Sequence, residues 1–220
     1  GTVIVSGGGE VSDIRKIVSP VMKNDMKSRF YHIDFSFDEL KLGGSAFAQS
    51  LHNVGSDVPT VQNPEYFRDA FLAVQKLVEE GLIMAGHDIS AGGLITCLLE
   101  MCFANTTGGI RVNLDKLVNT DMVKALFAEN PGVVIQVSDE KAARVKKILD
   151  DAGVGYVKIG VPSEERFIGV VKDKYNYVFD IDQLRDVWYT TSYLLDRKQS
   201  FNGKAKERFE NYKNRTLELV

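Results

Sequence analysis

Cysteine and proline are scarce in this 220-residue sequence, which has 2 Cys and 5 Pro. Two cysteines exclude a disulfide framework, and Cys97 and Cys102 stand at a spacing that fits neither a zinc pattern nor a thioredoxin-type pair. We therefore expect two reduced, packed thiols in a cytoplasmic protein. No run of roughly 18 apolar residues occurs, so the sequence predicts no membrane span and no membrane partner.

An excess of charge of either sign is also missing, since 27 basic residues face 30 acidic ones, for a net charge of −3. This balance predicts no nucleic-acid partner. The segment 196–215 is a local exception, with seven basic and three acidic residues. It is either a basic arm for an anionic partner or a solvated helix or linker leading into more protein, and such charge runs favour the second interpretation. Together with the missing initial Met, this segment suggests a piece of a larger polypeptide.

The remaining composition is that of a folded domain, with 44% hydrophobic and 26% charged residues. A chain of this length buries about 70% of its unfolded surface, so it needs no metal or disulfide to hold a core. Val- and Ile-rich segments bounded by Gly, Asp or Ser predict seven strands: Thr2–Ser6, Phe30–Phe37, Leu82–Gly86, Gly109–Leu114, Val133–Val137, Tyr156–Gly160 and Phe167–Val171. We expect the last two to pair as an antiparallel hairpin.

Helices alternate with these strands. Asn63-Pro64 predicts a helix start, and Gly81 its end. Ser138-Asp139-Glu140 is predicted to cap a helix that runs to about Ala152 and ends at Gly153. Apolar patterns predict two further helices, one buried over 94–103 and one with an apolar stripe over 184–195. The predicted fold is α+β, a mixed β-sheet packed with α-helices in one domain over 1–195, followed by a charged helical tail over 196–220.

The densest candidate motif is Gly86-His87-Asp88-Ile89-Ser90-Ala91-Gly92-Gly93-Leu94, between a strand and a buried helix. Helix N-termini attract anions, and glycines let the backbone approach a ligand. Asp88 offers oxygen ligands suited to Mg²⁺, and Ser90 offers a hydroxyl to a phosphate or a metal-bound water. The alternative is that Asp88 and Ser90 only cap the helix.

A second motif, Lys41-Leu42-Gly43-Gly44-Ser45-Ala46, has the same form. The amides of Gly43 and Gly44 and the hydroxyl of Ser45 could hold an anion at a helix start. The motif lacks the Lys and the spacing of a Walker P-loop, so a tight turn with a Ser cap is the alternative.

The histidines show no ligand partners at metal-binding spacing. We interpret His32 and His52 as structural or surface residues, and His87 either as a ligand contact or as a hydrogen bond that steadies its turn. Neither cysteine is placed as a nucleophile, because both lie in a core-like helix.

Six ordered motifs, spanning nearly the whole chain, resemble the C-terminal type of domain in the AIR-synthase superfamily, and more closely the large single-chain phosphoribosylformylglycinamidine synthases. They are LGGSAFAQ at 42–49, FLAVQ at 71–75, HDISAGGL at 87–94, LEMCFA at 99–104, GVVIQV at 132–137 and LRDVWYTTSY at 184–193.

The resemblance implies a function. These synthases convert formylglycinamide ribonucleotide, ATP and glutamine to formylglycinamidine ribonucleotide, ADP, phosphate and glutamate, in purine synthesis. They carry two pairs of N-type and C-type domains followed by a glutaminase domain, and this chain resembles the second C-type domain. Its partners would be an N-type domain and the glutaminase domain of the same polypeptide, together with small-molecule substrates.

Residue by residue, the resemblance implies that Asp88 binds Mg²⁺ and that Ser90 contacts ATP or ADP. The Gly43-Gly44-Ser45 turn matches a conspicuous family turn and is a further nucleotide-binding candidate. No catalytic residue is predicted here, so the isolated fragment is expected to be inactive. The site it joins is either catalytic or an auxiliary nucleotide site.

One position departs from the family pattern, because Ala91 stands where the family has an acid. Because the carboxylate is lost, this turn has a weaker claim to supply a second metal ligand. Two other interpretations stay open. One is a structural or interaction module, and the other is a selenophosphate, thiamin-phosphate or hydrogenase-maturation enzyme domain, against which the segment around Trp188 and the basic tail argue.

Overall fold

A seven-stranded sheet forms the centre of the computed structural model, which describes residues 6–11 and 13–212. Its strands are β1 (Ser28–Asp34), β2 (Ala85–Asp88), β3 (Gly109–Asn113), β4 (Gly132–Ser138), β5 (Tyr156–Ser163), β6 (Phe167–Lys172) and β7 (Tyr175–Asp180). The order across the sheet is β2-β4-β1-β5-β3-β6-β7. Neighbours pair antiparallel except β3 and β6, which are parallel, so the predicted mixed sheet is confirmed.

Helices cover both faces of the sheet. They are α1 (Ala46–Ser50), α2 (Pro64–Glu79), α3 (Gly93–Phe103), α4 (Met122–Phe127), α5 (Ala142–Asp151), α6 (Ile181–Gln199) and α7 (Lys204–Glu210), with a 3-10 turn at Ile14–Lys16. On one face, α2 and α5 bury their apolar side chains against Tyr31 and Ile33 of β1. On the other, α3 and α4 pack against Phe30 and Val134, and the start of α6 closes this core through Ile181. The α+β prediction is confirmed.

The two helix starts predicted from capping residues differ in outcome. Asn63 caps α2 as predicted, because its Oδ1 accepts hydrogen bonds from Glu65 N at 3.0 Å and Tyr66 N at 3.1 Å. The prediction that Ser138-Asp139-Glu140 caps α5 is wrong. Ser138 is the last residue of β4, held opposite Ser28, and α5 begins only after Lys141, without a side-chain cap.

The predicted antiparallel pairing of β5 with β6 is also wrong. β3 lies between them, and residues 164–166 cross over the start of β3. The crossing is possible because Gly109 has no side chain. A Cβ there would lie 2.6 Å from Glu165 O and 2.8 Å from Phe167 N. The sequence signal for a short connection was therefore right, but its geometry is a crossover and not a hairpin.

Two further strands depart from the sequence prediction. Residues 2–5 of the predicted first strand lie outside the described part of the chain, and Ser6 is not in a strand. β7 was not predicted, because most of its side chains are exposed on both sides of the sheet. Its alternating Tyr175, Tyr177 and Phe179 are the signal that could have indicated it.

The described part of the C-terminal segment contains two helices, α6 and α7, and residues 213–220 of the predicted tail lie outside the described residues. Arg208 of α7 donates to both carboxylate oxygens of Asp196, with the shortest contact at 2.7 Å, so the two helices pack together. The stripe on α6 is open to solvent, since Val187 is 66% exposed and Leu195 58%. α6 continues through the predicted domain limit at 195. Among the described residues, none of the helices has the length and apolar content needed to cross a membrane.

Candidate functional site

Asp88 lies at the carboxyl end of β2, an edge strand of the described sheet. Pairing of β2 with β4 places Asp88 opposite Val133 and fixes its backbone. Its side chain is 73% exposed. An exposed carboxylate on a fixed backbone is available to a ligand, as the Mg²⁺ prediction requires.

The turn after Asp88 is held at both ends by the segment that leads into β4. Ile89 N donates to Gly132 O at 2.8 Å, and Gly92 N donates to Glu129 Oε1 at 2.7 Å. Ser90 and Ala91 are exposed between these two contacts. Within the described chain, the Ser90 hydroxyl has no hydrogen-bond partner, so it does not cap the helix.

Two glycines let α3 begin directly against the end of α4. Gly92 and Gly93 have φ angles of 89° and 72°, in the left-handed region that side chains disfavour. A Cβ on Gly93 would lie 2.7 Å from Leu126 O. The glycine pair is therefore required by close packing, and it also leaves the start of α3 without a side-chain cap.

His87 ties the end of β2 to α3 and α6. Its Nδ1 lies 2.8 Å from the Asp88 carbonyl oxygen, and its Nε2 lies 3.3 Å from Glu100 Oε2. Trp188 Nε1 donates to the other oxygen of Glu100 at 2.9 Å. Of the two predictions for His87, the hydrogen bond that steadies the turn is therefore confirmed.

The backbone amides of the Gly43-Gly44-Ser45 turn are used within its own loop. Gly43 N donates to Asp57 O at 2.9 Å, and Gly44 N to Val54 O at 2.8 Å. The Ser45 hydroxyl donates to Leu42 O at 2.6 Å and accepts from Ala48 N at 3.1 Å, which makes it the N-cap of α1. These contacts account for the turn structurally, and its contact with nucleotide stays a prediction.

Glu129, which no motif in the sequence singles out, brings the two glycine motifs together. Its Oε1 accepts one hydrogen bond from Gly92 N and a second from Ala46 N, both at 2.7 Å. Close by, the Phe47 and Phe127 rings stack with centroids 4.6 Å apart. Because the partners are 37 and 83 residues away in sequence, no local pattern indicates this role.

The residues present fit one part of a magnesium site. Across 6–11 and 13–212, no three His, Cys, Asp or Glu side chains converge as a metal-binding group. Mg²⁺ bound with a nucleotide takes one or two protein carboxylates and completes its shell with phosphate oxygens and water. Asp88 suits one such position, while Ala91 offers no second carboxylate.

The cysteines and two of the histidines lie where the sequence indicated. Cys97 and Cys102 are unpaired and buried. Burial raises the pKa of both thiols, that of Cys102 to about 12, so neither is a ready nucleophile. His32 is buried in β1, and His52 is exposed after α1.

Comparison with known proteins identifies the relatives of this chain. The AIR synthase related protein, C-terminal domain family matches residues 36–172. The phosphoribosylformylglycinamidine synthase of Homo sapiens is 33% identical over 205 residues, which are 91% of this chain and 15% of the human protein. The probable phosphoribosylformylglycinamidine synthase of Arabidopsis thaliana is 34% identical over 90% of this chain. It is covered to 14% of its own length, so the chain spans about a seventh of these relatives.

Solved structures share the fold. Phosphoribosylformylglycinamidine synthase II from Thermotoga maritima superimposes with a TM-score of 0.60 at 18% identity, over 78% of this chain and 28% of that protein. The T. maritima PurL complexed with FGAR gives a TM-score of 0.61 at 19% identity, over 78% of this chain and 30% of that one. The family match covers more than half of the chain. The chain therefore belongs to the AIR synthase related proteins, whose C-terminal domain it contains.

Proposed function

We propose that this chain is a domain of a phosphoribosylformylglycinamidine synthase and contributes Asp88 and Ser90 to a magnesium–nucleotide site. The observation that carries the proposal is the turn at 88–91, whose exposed carboxylate and unbonded hydroxyl stand on a backbone fixed at both ends. The similarity to synthases of human and plant origin supports the reaction class. Related T. maritima PurL structures carry ATP and ADP, which agrees with a nucleotide ligand.

Within this site, Asp88 would hold one coordination position of Mg²⁺, and the Ser90 hydroxyl would bind a phosphate oxygen or a metal-bound water. Bound Mg²⁺ neutralises charge on the transferred phosphoryl group. Glu129 joins the Asp88 turn to the Gly43-Gly44-Ser45 turn, because its carboxylate accepts hydrogen bonds from Gly92 N and from Ala46 N, directly after Ser45. We propose that the Gly43-Gly44-Ser45 turn forms the facing wall of the nucleotide site and shapes it through its backbone.

The whole reaction requires groups outside these residues. The chain spans about 15% of the human relative, and its described part holds no complete metal-binding group. We propose that an N-type domain supplies the remaining metal and phosphate contacts, that a glutaminase domain supplies ammonia, and that the enzyme acts in the cytoplasm. On its own, the chain should form no formylglycinamidine ribonucleotide.

The test is Asp88→Asn in the full-length synthase that carries this domain. Asn keeps the size of the side chain and removes its negative charge, so we expect the Mg²⁺ concentration for half-maximal activity to rise about tenfold or more. Because Asp88 is exposed and its contact with His87 Nδ1 is long, at 3.4 Å, thermal stability should change little.

Asp151→Asn is the matched control, since Asp151 is an exposed carboxylate on α5 whose one ion pair, with Lys147, is on the surface. The Asp151→Asn variant should keep the Mg²⁺ dependence of the unchanged enzyme. If Asp88→Asn also keeps that dependence, the metal role of Asp88 is wrong, and the interaction-module interpretation takes its place.

A further inference from the structure

Glu129 makes an unusual contact for a half-buried carboxylate, because one oxygen accepts hydrogen bonds from two backbone N–H groups in distant parts of the chain. Gly92 N belongs to the turn that carries Asp88 and Ser90, and Ala46 N is the first residue of α1, directly after Ser45. Both bonds measure 2.7 Å, the short end of the range for N–H to a carboxylate.

The backbone that carries Glu129 is itself held firmly. Asn130 is 3% exposed, and its side-chain amide donates to Glu39 O at 3.0 Å and to Ser36 Oγ at 3.2 Å. Pro131 O accepts from Phe35 N at 2.9 Å, and the next residue, Gly132, begins β4. Glu129 therefore extends from a fixed point between α4 and the sheet.

This arrangement sets the position of the Asp88 turn at its far end. At its near end the turn is fixed by the pairing of β2 with β4 and by the bond from Ile89 N to Gly132 O. At its far end, the bond from Gly92 N to Glu129 is the one that joins the turn to α1. Without the carboxylate, the N–H groups of Gly92 and Ala46 would lose their partner, and the two glycine motifs would lose their shared contact.

We propose that Glu129 is a positioning residue for the nucleotide site: it fixes Ser90 and the turn after Asp88 against the Gly43-Gly44-Ser45 turn. This inference rests on the proposed function, since it states that Glu129 sets the distance between the two turns that form that site. Glu129 acts through the backbone of both turns. Its effect should therefore fall on ligand affinity more than on the rate of the bound complex.

The test replaces Glu129 in the full-length synthase by Ala and by Gln. Glu129→Ala removes the shared acceptor, and we expect the KM for ATP and the Mg²⁺ concentration for half-maximal activity to rise by roughly 10- to 100-fold. The kcat should change less than about threefold. Glu129→Gln keeps an oxygen that can accept both N–H groups, so it should recover most of the lost affinity.

Glu140→Ala is the matched control, because Glu140 is exposed beside the start of α5, and it should leave every constant unchanged. Amide hydrogen exchange adds a direct readout, in which Ala46 and Gly92 should exchange faster in Glu129→Ala, and to a smaller extent in Glu129→Gln. If Glu129→Ala does not fold, Glu129→Leu takes its place, because it also removes the acceptor while it fills the space of the side chain.

Two results would overturn the inference. One is a loss of thermal stability in Glu129→Ala with the KM for ATP and the Mg²⁺ dependence unchanged. The other is unchanged exchange at both amides. The Asp88→Asn variant, measured in the same assays, separates the proposed magnesium–nucleotide site from the proposed role of Glu129. If that variant shifts the Mg²⁺ dependence while Glu129→Ala does not, only the role of Glu129 is wrong, and if neither does, the proposed function itself fails.

Discussion

Ser45 shows how a single hydroxyl can match a ligand-binding motif and still serve the fold. It is 1% exposed, caps α1 through Ala48 N, and donates to Leu42 O. We expect Ser45→Ala to lower the free energy of unfolding by about 1–2 kcal/mol, because it removes an N-cap. The KM for nucleotide of the full-length synthase should change less than about threefold, since both partners of the hydroxyl are internal.

Urea denaturation and steady-state kinetics measure the two effects of Ser45 separately. Ser45→Thr keeps a hydroxyl at the same place and serves as the control, with a smaller loss of stability expected. A large rise in KM for Ser45→Ala at preserved stability would contradict the capping role and would make Ser45 a direct ligand of the nucleotide.

Among the residues of the candidate site, those with local signals could be predicted and those defined by long-range contacts could not. Asp88 and Ser90 stand in a strand–turn–helix motif that indicates their position from nine consecutive residues. Glu129 has no such signal, because its role is defined only by the two hydrogen bonds that it accepts from the backbone N–H groups of Ala46 and Gly92. Ala91 is exposed beside them without a polar group to contribute.

At the scale of secondary-structure elements, Gly109 determines how β3 fits between β5 and β6. The connection 164–166 passes over the first residue of β3, where a Cβ would meet the backbone at Glu165 and Phe167. We expect Gly109→Ala to lower the free energy of unfolding by about 3 kcal/mol or more, because backbone atoms cannot move aside as a side-chain end can. Urea denaturation of the isolated chain measures this loss.

Gly8→Ala is the control for this substitution, since a Cβ there meets nothing within 4 Å. Its stability should equal that of the unchanged chain. If Gly109→Ala were equally stable, the crossover would have to be looser than the structure shows.

The elements themselves followed from sequence more reliably than their pairing. α2 and α3 were predicted within a residue or two, because caps and apolar periods act locally. The neighbours of β5 depend on which strands meet across the sheet, and that is decided by the tertiary packing of α3 and α4 against it. β7 escaped prediction for a related reason, since an edge strand exposed on both faces needs no apolar alternation.

At the scale of the whole molecule, the described sheet buries a titratable imidazole within its first strand. His32 of β1 is 8% exposed, and this burial lowers its pKa below the usual value of 6.5, although the nearby Asp34 acts in the opposite direction. Its ring lines a cleft of about 590 Å³, whose other charged or titratable groups are Asp34, Asp38, Glu39, Lys116, Lys124 and Tyr156. The folded chain therefore keeps this imidazole neutral at a pH where the unfolded chain protonates it.

This difference in proton binding predicts how the stability of the entire fold varies with pH. Well above pH 6.5 the ring is neutral in both states and its contribution is complete. As pH falls from there towards the lowered pKa, the unfolded state gains a proton that the folded state excludes. The free energy of unfolding should then fall by up to about 1.4 kcal/mol per pH unit.

Urea denaturation between pH 7.5 and 5.5 tests this prediction, because carboxylates with ordinary pKa values titrate below that range. His32→Gln removes the titrating ring and should flatten the dependence on pH, whatever its effect on stability at pH 7.5. Asn53→Gln, in the exposed loop after α1 and without a titrating group, should keep the slope of the unchanged chain. Equal slopes for His32→Gln and the unchanged chain would mean that the buried imidazole accepts its proton within the folded sheet, with water or Asp34 compensating the charge.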